Sequence, residues 1–562
     1  MRQRMLTIFL FFGASVFSFA ATKPNIVLIT LGSTRSDRMG FLGSKQRITP
    51  NLDNLARQSI IFEQAYAQAP TTVVSHATIL TGTYPQTHHA NEFAAPLSIS
   101  LPYLPDLLHA RGYHTAAFVG SIALDPRNGF APGFDHGFTV YNAGFQLPDR
   151  GQTRHDSNAL RGTEVITHAN AWLNHNSEGP FFLWIQISDP QAATGAYYNP
   201  AISATDAAVG KLLTELRTRK LFDDALVVVT SDHGTSLGAH GETRHGVFLY
   251  DETIHVPLLV KLPLKQDAAK RVRAKVPLAS IAPTVLEIAS IPVPPQMQGQ
   301  SLIRIAKGNV TDQPVYSRSD FPAQAFGLSP LESWRAGKFL YIRAPKPELY
   351  DLSSDPGATH NLSQTSKATL DTMAAQLSAF DQHFSAGGGQ STQLTSSQMQ
   401  KLASLGYVGL QRPATAVETA VTGTDPKDAI SQVDRISTAA VSLEEGKPEK
   451  AQVTLEASIA SASSMYLAQY VMGVALAQQQ KYSQAIQYLH RAIELQPGSP
   501  WAHYQMGAAL LKNNDFKTAA VHLEITLEHL PNFATAHALL AQAYDHLGRT
   551  ENAKREKAKA GH

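Results

Sequence analysis

Four short, almost unbroken apolar runs, separated by helical periodicity, constrain this chain more than any other feature. They are Asn25-Ile-Val-Leu-Ile-Thr30, His114-Thr-Ala-Ala-Phe-Val119, Phe181-Phe-Leu-Trp-Ile-Gln-Ile187 and Ala225-Leu-Val-Val-Val-Thr230. A strand with one face in water alternates apolar and polar residues, whereas a strand covered on both faces does not. The runs therefore predict strands buried within a parallel sheet. One helical segment between them is capped by Thr49-Pro50 and carries Leu52, Leu55 and Ala56; another carries Ala207, Val209, Leu212, Leu213 and Leu216. Strands and helices in alternation predict an α/β sandwich, whose reactive groups collect at the carboxyl ends of the strands.

A smaller α+β unit is expected from about Leu264. It contains Pro277-Leu278 leading into Ile281-Ala-Pro-Thr-Val-Leu286, then Lys338-Phe-Leu-Tyr341 and Glu348-Leu-Tyr-Asp-Leu352. Ser385-Ala-Gly-Gly-Gly-Gln390 opens a polar join, and the domain before it is expected to fold without the remainder. Beyond the join, residues recur at a spacing of 34: Gly473 and Gly507, Tyr482 and Phe516, Pro497 and Pro531, and Ala485, Ala519 and Ala553. That is the tetratricopeptide period, with small residues where paired helices touch. A weaker first repeat begins near Asp434, with Ala439 and Ala451 in register. Stacked helical pairs offer a concave surface for a protein partner, or else a cap that only packs on the preceding domain.

Composition excludes several classes. The chain has 562 residues, with Lys plus Arg 47 against Asp plus Glu 45. Near-neutrality without a basic stripe argues against nucleic acid. With no cysteine, disulfides, thiolate metal sites and cysteine nucleophiles are excluded. Arg2 and Arg4 precede an apolar run from Leu6 to Phe19, and Ser18 and Ala20 follow as small residues. This reads as a cleaved export signal, placing the protein in a periplasmic or extracellular space. An uncleaved anchor is the other reading, although the run is short against the roughly 20 residues that span a bilayer.

Several stretches, in consistent order, resemble the sulfatase family of the alkaline-phosphatase superfamily. Pro24-Asn-Ile-Val-Leu-Ile-Thr-Leu31 with Thr34-Arg-Ser-Asp37 resembles its opening, and Thr49-Pro-Asn-Leu-Asp-Asn-Leu55 its first helix. Thr72-Val-Val-Ser-His-Ala77 with Thr81-Gly82 resembles the nucleophile segment. Ser231-Asp-His-Gly234, His240-Gly-Glu242 and His245-Gly-Val-Phe-Leu-Tyr-Asp-Glu252 resemble the second metal-binding stretch. Pro347-Glu-Leu-Tyr-Asp-Leu352, Asp355-Pro-Gly357 and Asn361-Leu362 resemble the C-terminal subdomain. The resemblance implies a sulfatase/alkaline-phosphatase-like sandwich over 23–409, with the small α+β subdomain from about 264. A signal peptide at 1–20, a linker at 410–431 and an all-α tetratricopeptide array at 432–560 complete the expected organisation.

The resemblance also implies chemistry. Cleaving a sulfate or phosphate ester needs charge neutralisation and an activated oxygen nucleophile. It assigns Thr72, His76 and His245 as catalytic and Asp232, His233 and Thr72 as ligands of a divalent metal, calcium or zinc/manganese. Thr72 is not a substrate for the formylglycine conversion of Cys or Ser, but relatives that act on phosphate diesters or phosphonates use Thr directly. Thr72 reads equally as a helix N-cap. Among the other histidines, His88, His89 and His240 read as structural.

Departures cluster at the metal site. Gly32-Ser33 stand where the family has a metal-binding Asp, and Asp37 matches a structural one. Gln191 replaces a common His, Thr235 and Ala239 replace acidic residues, Val74 replaces Pro and His76 replaces Arg. The Lys and His that follow the Gly112-Tyr-His-Thr115 strand in many sulfatases are absent. Fewer carboxylates lower the affinity for a dication steeply. Two readings follow: a metal-dependent sulfate- or phosphate-ester hydrolase, or a pseudoenzyme that acts as a binding scaffold through its repeats.

Overall fold

The computed structural model describes residues 23–128, 130–144, 161–176, 178–192, 195–308, 312–384 and 423–561. The export signal and most of the join, 385–422, lie outside the described residues.

Eight strands form one sheet: β1 Ile26–Leu31, β2 Ile60–Tyr66, β3 His114–Val119, β4 Val140–Asn142, β5 Phe181–Ile187, β6 Leu226–Ser231, β7 His255–Lys261 and β8 Arg271–Pro277. Their order is β4-β3-β5-β1-β6-β7-β2-β8. The four apolar runs become β3, β5, β1 and β6, contiguous and mutually parallel. Only β7 runs antiparallel, to β6 on one side and β2 on the other. Both faces of β1 are covered. Ile26 and Leu28 belong to one hydrophobic cluster with Val73, Ala77, Leu104 and Val285, while Val27, Ile29 and Leu31 belong to a second with Leu52, Val165, Val209 and Leu212. The β1 register sets Leu31 against both Ile187 and Ser231. Gly32, Ser188 and Asp232 therefore emerge together at one end of the sheet.

A second sheet is antiparallel, in the order β12-β11-β10-β9. It consists of β9 Val315–Ser319, β10 Leu331–Ala336, β11 Phe339–Arg343 and β12 Glu348–Asp351. The expected start of this unit near Leu264 is corrected. β8 pairs in parallel with β2 in the large sheet, and helix Ile281–Ile288 packs in the large domain's core. The small sheet begins at Val315, and helix Lys367–Phe384 covers it with Met373 and Leu377.

Helical pairs follow. Pro426–Glu444 packs with Pro448–Glu456, Tyr466–Gln478 with Tyr482–Leu495, Pro500–Lys512 with Phe516–His529, and Ala534–His546 with Thr550–Ala560. The first helix starts at Pro426, inside the stretch read as linker, because Asp425 caps it by accepting from the Lys427 backbone N–H at 2.9 Å. The repeating glycines have a packing reason. A Cβ on Gly473 would lie 2.7 Å from Leu489 Cγ, and one on Gly507 2.7 Å from Leu523 Cγ. The array rests on the large domain, and one hydrophobic cluster runs through both.

Candidate functional site

Helix Thr72–Thr81 follows β2 across an extended link through Pro70 and ends at Gly82, whose φ of 66° suits glycine. Thr71, not Thr72, takes the N-cap position. Thr72 is the first helical residue, and its Oγ1 lies 3.3 Å from His233 Nε2. The hydroxyl thus faces the end of β6.

Asp232 and His233 leave β6 side by side. Asp232 Oδ1 accepts from the backbone N–H of Ser33 at 2.9 Å and of His233 at 2.7 Å. This aims Oδ2 inward, 3.5 Å from His233 Nε2 and 3.8 Å from His76 Nδ1. His233 Nδ1 is 2.8 Å from the Gly234 carbonyl oxygen, which can only accept. Nδ1 therefore carries the proton in the neutral ring, and the Nε2 lone pair faces Thr72. Gly234 must be glycine here, since a Cβ would lie 2.1 Å from the Glu252 carbonyl oxygen.

His76 lies behind this group, fully buried. Trp184 Nε1–H, which only donates, points to Thr30 Oγ1 at 3.1 Å. Thr30 Oγ1 is 3.0 Å from His76 Nε2, and His76 Nδ1 is 2.8 Å from the Thr72 carbonyl oxygen, which only accepts. One direction satisfies the chain: tryptophan to threonine to histidine to the Thr72 backbone. Burial lowers the His76 pKa and keeps the ring neutral. His76 thus positions the helix that carries Thr72.

The His245 ring packs against that of His233, tilted by 44° with centroids 4.2 Å apart. Its Nδ1 is 3.1 Å from the Pro70 carbonyl oxygen, so its Nε2 keeps the lone pair. Burial, with His233 and Arg244 alongside, holds its pKa well below the ordinary value. The other histidines stand elsewhere. His88 bonds Thr78 Oγ1 at 3.0 Å, His89 ends a helical turn at a φ of 52°, and His240 stacks on Tyr250 at 3.6 Å. Asp37 ties Arg35 Nη2 at 2.8 Å, outside the site, and Gln191 belongs to the helical turn Asp189–Ala192.

Glu92 is the residue that sequence reasoning missed. Its Oε1 accepts from the Val73 backbone N–H at 2.8 Å, so a carboxylate seals the helix N-terminus beside Thr72. Burial raises its pKa. The only signal was a lone acidic residue in the apolar stretch Ala90–Leu97.

The divalent metal implied by the fold can be tested on the donor set. Asp232 Oδ2 is fully buried and lacks a hydrogen-bond partner. An unpaired buried carboxylate oxygen is costly unless a cation or donor meets it. With the His233 lone pair and the Thr72 hydroxyl, it suits a nitrogen- and oxygen-seeking ion such as zinc or manganese. Calcium, which takes roughly six to eight oxygens, is poorly served. Among the described residues no group of three His, Asp or Glu side chains is arranged to hold a metal.

Known proteins bear on the same residues. The Sulfatase family model matches 24–291, and the N-sulphoglucosamine sulphohydrolase C-terminal model matches 241–382. Tetratricopeptide repeat models match 441–500 and 476–543. The ulvan-active sulfatase of Formosa agariphila is 25% identical over 425 residues, covering 64% of this chain and 80% of that one. Arylsulfatase K of Mus musculus is 30% identical over 178 residues, covering 30% of this chain and 32% of its own length. The phosphonate monoester hydrolase of Agrobacterium radiobacter superposes with a TM-score of 0.55 at 19% identity, covering 64% of this chain and 96% of that one. A 2-O GAG sulfatase does so with a TM-score of 0.55 at 19% identity, covering 65% and 93%. The large sheet with helix Thr72–Thr81 and the small antiparallel sheet together make a sulfatase-family domain, and tetratricopeptide repeats follow it in the same chain.

Proposed function

We propose that the sulfatase domain hydrolyses a sulfate or phosphate ester with Thr72 Oγ1 as nucleophile. The observation that carries this is the convergence of Thr72 Oγ1, His233 Nε2 and Asp232 Oδ2, with steps of 3.3 Å and 3.5 Å, at the carboxyl ends of β1 and β6. Asp232, His233 and Thr72 would hold a divalent metal, which supplies charge neutralisation for the ester and acidifies the threonine hydroxyl. The Trp184–Thr30–His76 relay fixes the helix that carries Thr72, and Gly234 fixes the His233 ring. His245, whose ring lies against His233 with Nδ1 on the Pro70 carbonyl, would take the Thr72 proton at Nε2. As Oγ1 bonds to sulfur or phosphorus, its proton passes by way of His245 Nε2 to the departing ester oxygen, and water then adds to the Thr72 ester, releasing the acid and restoring the hydroxyl. The fold's relatives act on sulfate and phosphonate esters, which supports this substrate class.

A second reading, a non-catalytic sulfatase fold, is favoured by two observations. Gly32 adds no carboxylate to the site, while Glu92 fills the helix N-terminus where an anion would sit. A panel of aryl sulfates and phosphate mono- and diesters, with manganese or zinc added, separates the two. Turnover that vanishes in Thr72→Ala and Asp232→Asn is expected. Turnover unchanged in Thr72→Ala sinks the proposal, and no turnover with any ester or metal leaves the second reading.

A further inference from the structure

Thr72 is 2% exposed, while His233 and Asp232 are 0% exposed. A solvent-borne ester cannot touch them unless something above them moves. Two segments border the site: the strip carrying Glu92 and Phe93, through Glu92 on the Val73 N–H, and the loop carrying Arg244, His245 and Gly246, through His245 against His233. The tetratricopeptide array holds both.

On the loop, Thr243 donates from its backbone N–H to Asp434 Oδ1 at 3.0 Å and from Oγ1 to Asp434 Oδ2 at 2.6 Å. One turn earlier in the same helix, Ile430 covers Gly241, where a Cβ would lie 3.3 Å from Ile430 Cγ2. On the strip, the Phe93 ring meets Tyr466 edge-on at 5.8 Å and stacks on Phe321 at 6.2 Å. Phe321 in turn covers Gly246, next to His245. The array is also anchored to the small sheet, by Lys346 Nζ to Asp428 at 2.6 Å and Lys427 Nζ to Glu348 at 2.7 Å.

We propose that the partner of this repeat face is the chain's own sulfatase domain, and that the docked array closes the Thr72 site. Asp434 is the latch on the His245 loop and Tyr466 the latch on the Glu92 strip. Solvent and ester reach Thr72 only when these contacts release. The Lys346–Asp428 pair is exposed and the Thr243–Asp434 pair partly buried, so these latches exchange for water more readily than Val433 and Ile436 of the same helix, which stay in the shared apolar cluster.

The absence of cysteine supplies the test. Thr72→Cys creates the only thiol in the full chain, and its reaction with an aromatic disulfide reagent is followed after chelator treatment. Ile99→Cys, at an 88% exposed position, sets the uncovered rate. Thr72→Cys should react far more slowly than Ile99→Cys, and adding Asp434→Lys or Thr243→Val should speed it at least about tenfold. Thr243→Val is the gentler change and decides the matter if Asp434→Lys perturbs folding by circular dichroism. A native-chain Thr72→Cys as fast as Ile99→Cys overturns the proposal, as does a rate that Thr243→Val leaves unchanged. Neither readout depends on catalysis, so loss of hydrolytic activity leaves this test intact.

Discussion

Thr72 Oγ1 and His233 Nε2 stand 3.3 Å apart although they come from a helix and a strand end 161 positions distant in sequence. Replacing Thr72 with alanine removes the hydroxyl and should abolish ester turnover. Thr72→Ser keeps an oxygen there and should retain a measurable part of it. Steady-state rates on the best ester of the panel, with matched circular dichroism melts, check this.

Gly32→Asp restores a carboxylate at the end of β1. The new Cβ would sit 3.3 Å from Gln186 Nε2, the Ile187 carbonyl oxygen and Ser188 Cα, so the strand end must give slightly. The expected outcome is manganese or zinc binding at least about tenfold tighter, because a second charged oxygen joins the site. A melting temperature a few degrees lower should accompany it. Isothermal titration of both proteins decides. Tight binding by the unaltered chain would show that the single carboxylate suffices.

Glu242 gives a pH signature. It is buried and accepts from Val247 N–H at 2.9 Å, Phe248 N–H at 3.3 Å and Ser236 Oγ at 3.1 Å. Burial outweighs these bonds and, with Asp434 nearby, pushes its pKa up to about 7 from an ordinary 4.5. Between those values the folded state binds more protons than the unfolded one, so stability falls as pH rises through that window. The loss is about 3 kcal/mol by linkage and is complete above the folded pKa. Denaturant melts from pH 5 to 8 should show a steeper fall in the native chain than in Glu242→Gln. Parallel profiles would place the titrating group elsewhere.

The repeat glycines offer a packing test. Gly507→Ala drives a Cβ into Leu523 Cγ at 2.7 Å, and overpacking of this kind costs about 1–3 kcal/mol. Leu523→Ala alone opens a cavity. Combined with Gly507→Ala, it should cost less than the two single changes added. A double-mutant cycle by chemical denaturation measures the coupling, and strict additivity would mean that the helices spread to absorb the methyl.

Much of this was legible because it is written locally. Strands buried on both faces have no polar alternation, so β1, β3, β5 and β6 stand out. β8 does not: Arg271, Arg273 and Lys275 alternate with Val272, Ala274 and Val276 at the edge of the sheet, which disguised its membership of the large sheet. Motif spacing singled out Thr72, Asp232, His233 and His245, whose side chains the fold brings close together. It could not show that His76 turns inward to the Thr72 carbonyl, because direction depends on Thr30 and Trp184, distant in sequence. Glu92 carried no motif. The docking of the repeats was equally hidden, since nothing local in the sequence sets Asp428 opposite Lys346 or Asp434 opposite Thr243.

The position of β1 has a consequence for how the chain acquires its structure. The first strand made is the middle strand of the sheet, and its neighbours begin only at Phe181 and Leu226. Ile26–Leu31 must therefore wait, apolar but for Thr30 and unpaired, through much of synthesis. Such non-local pairing makes folding slow and leaves an adhesive segment open to other chains meanwhile. A holdase that binds extended apolar segments should accelerate recovery of native protein on refolding, and its benefit should shrink when Ile29 is made polar, even though the variant's final stability is lower.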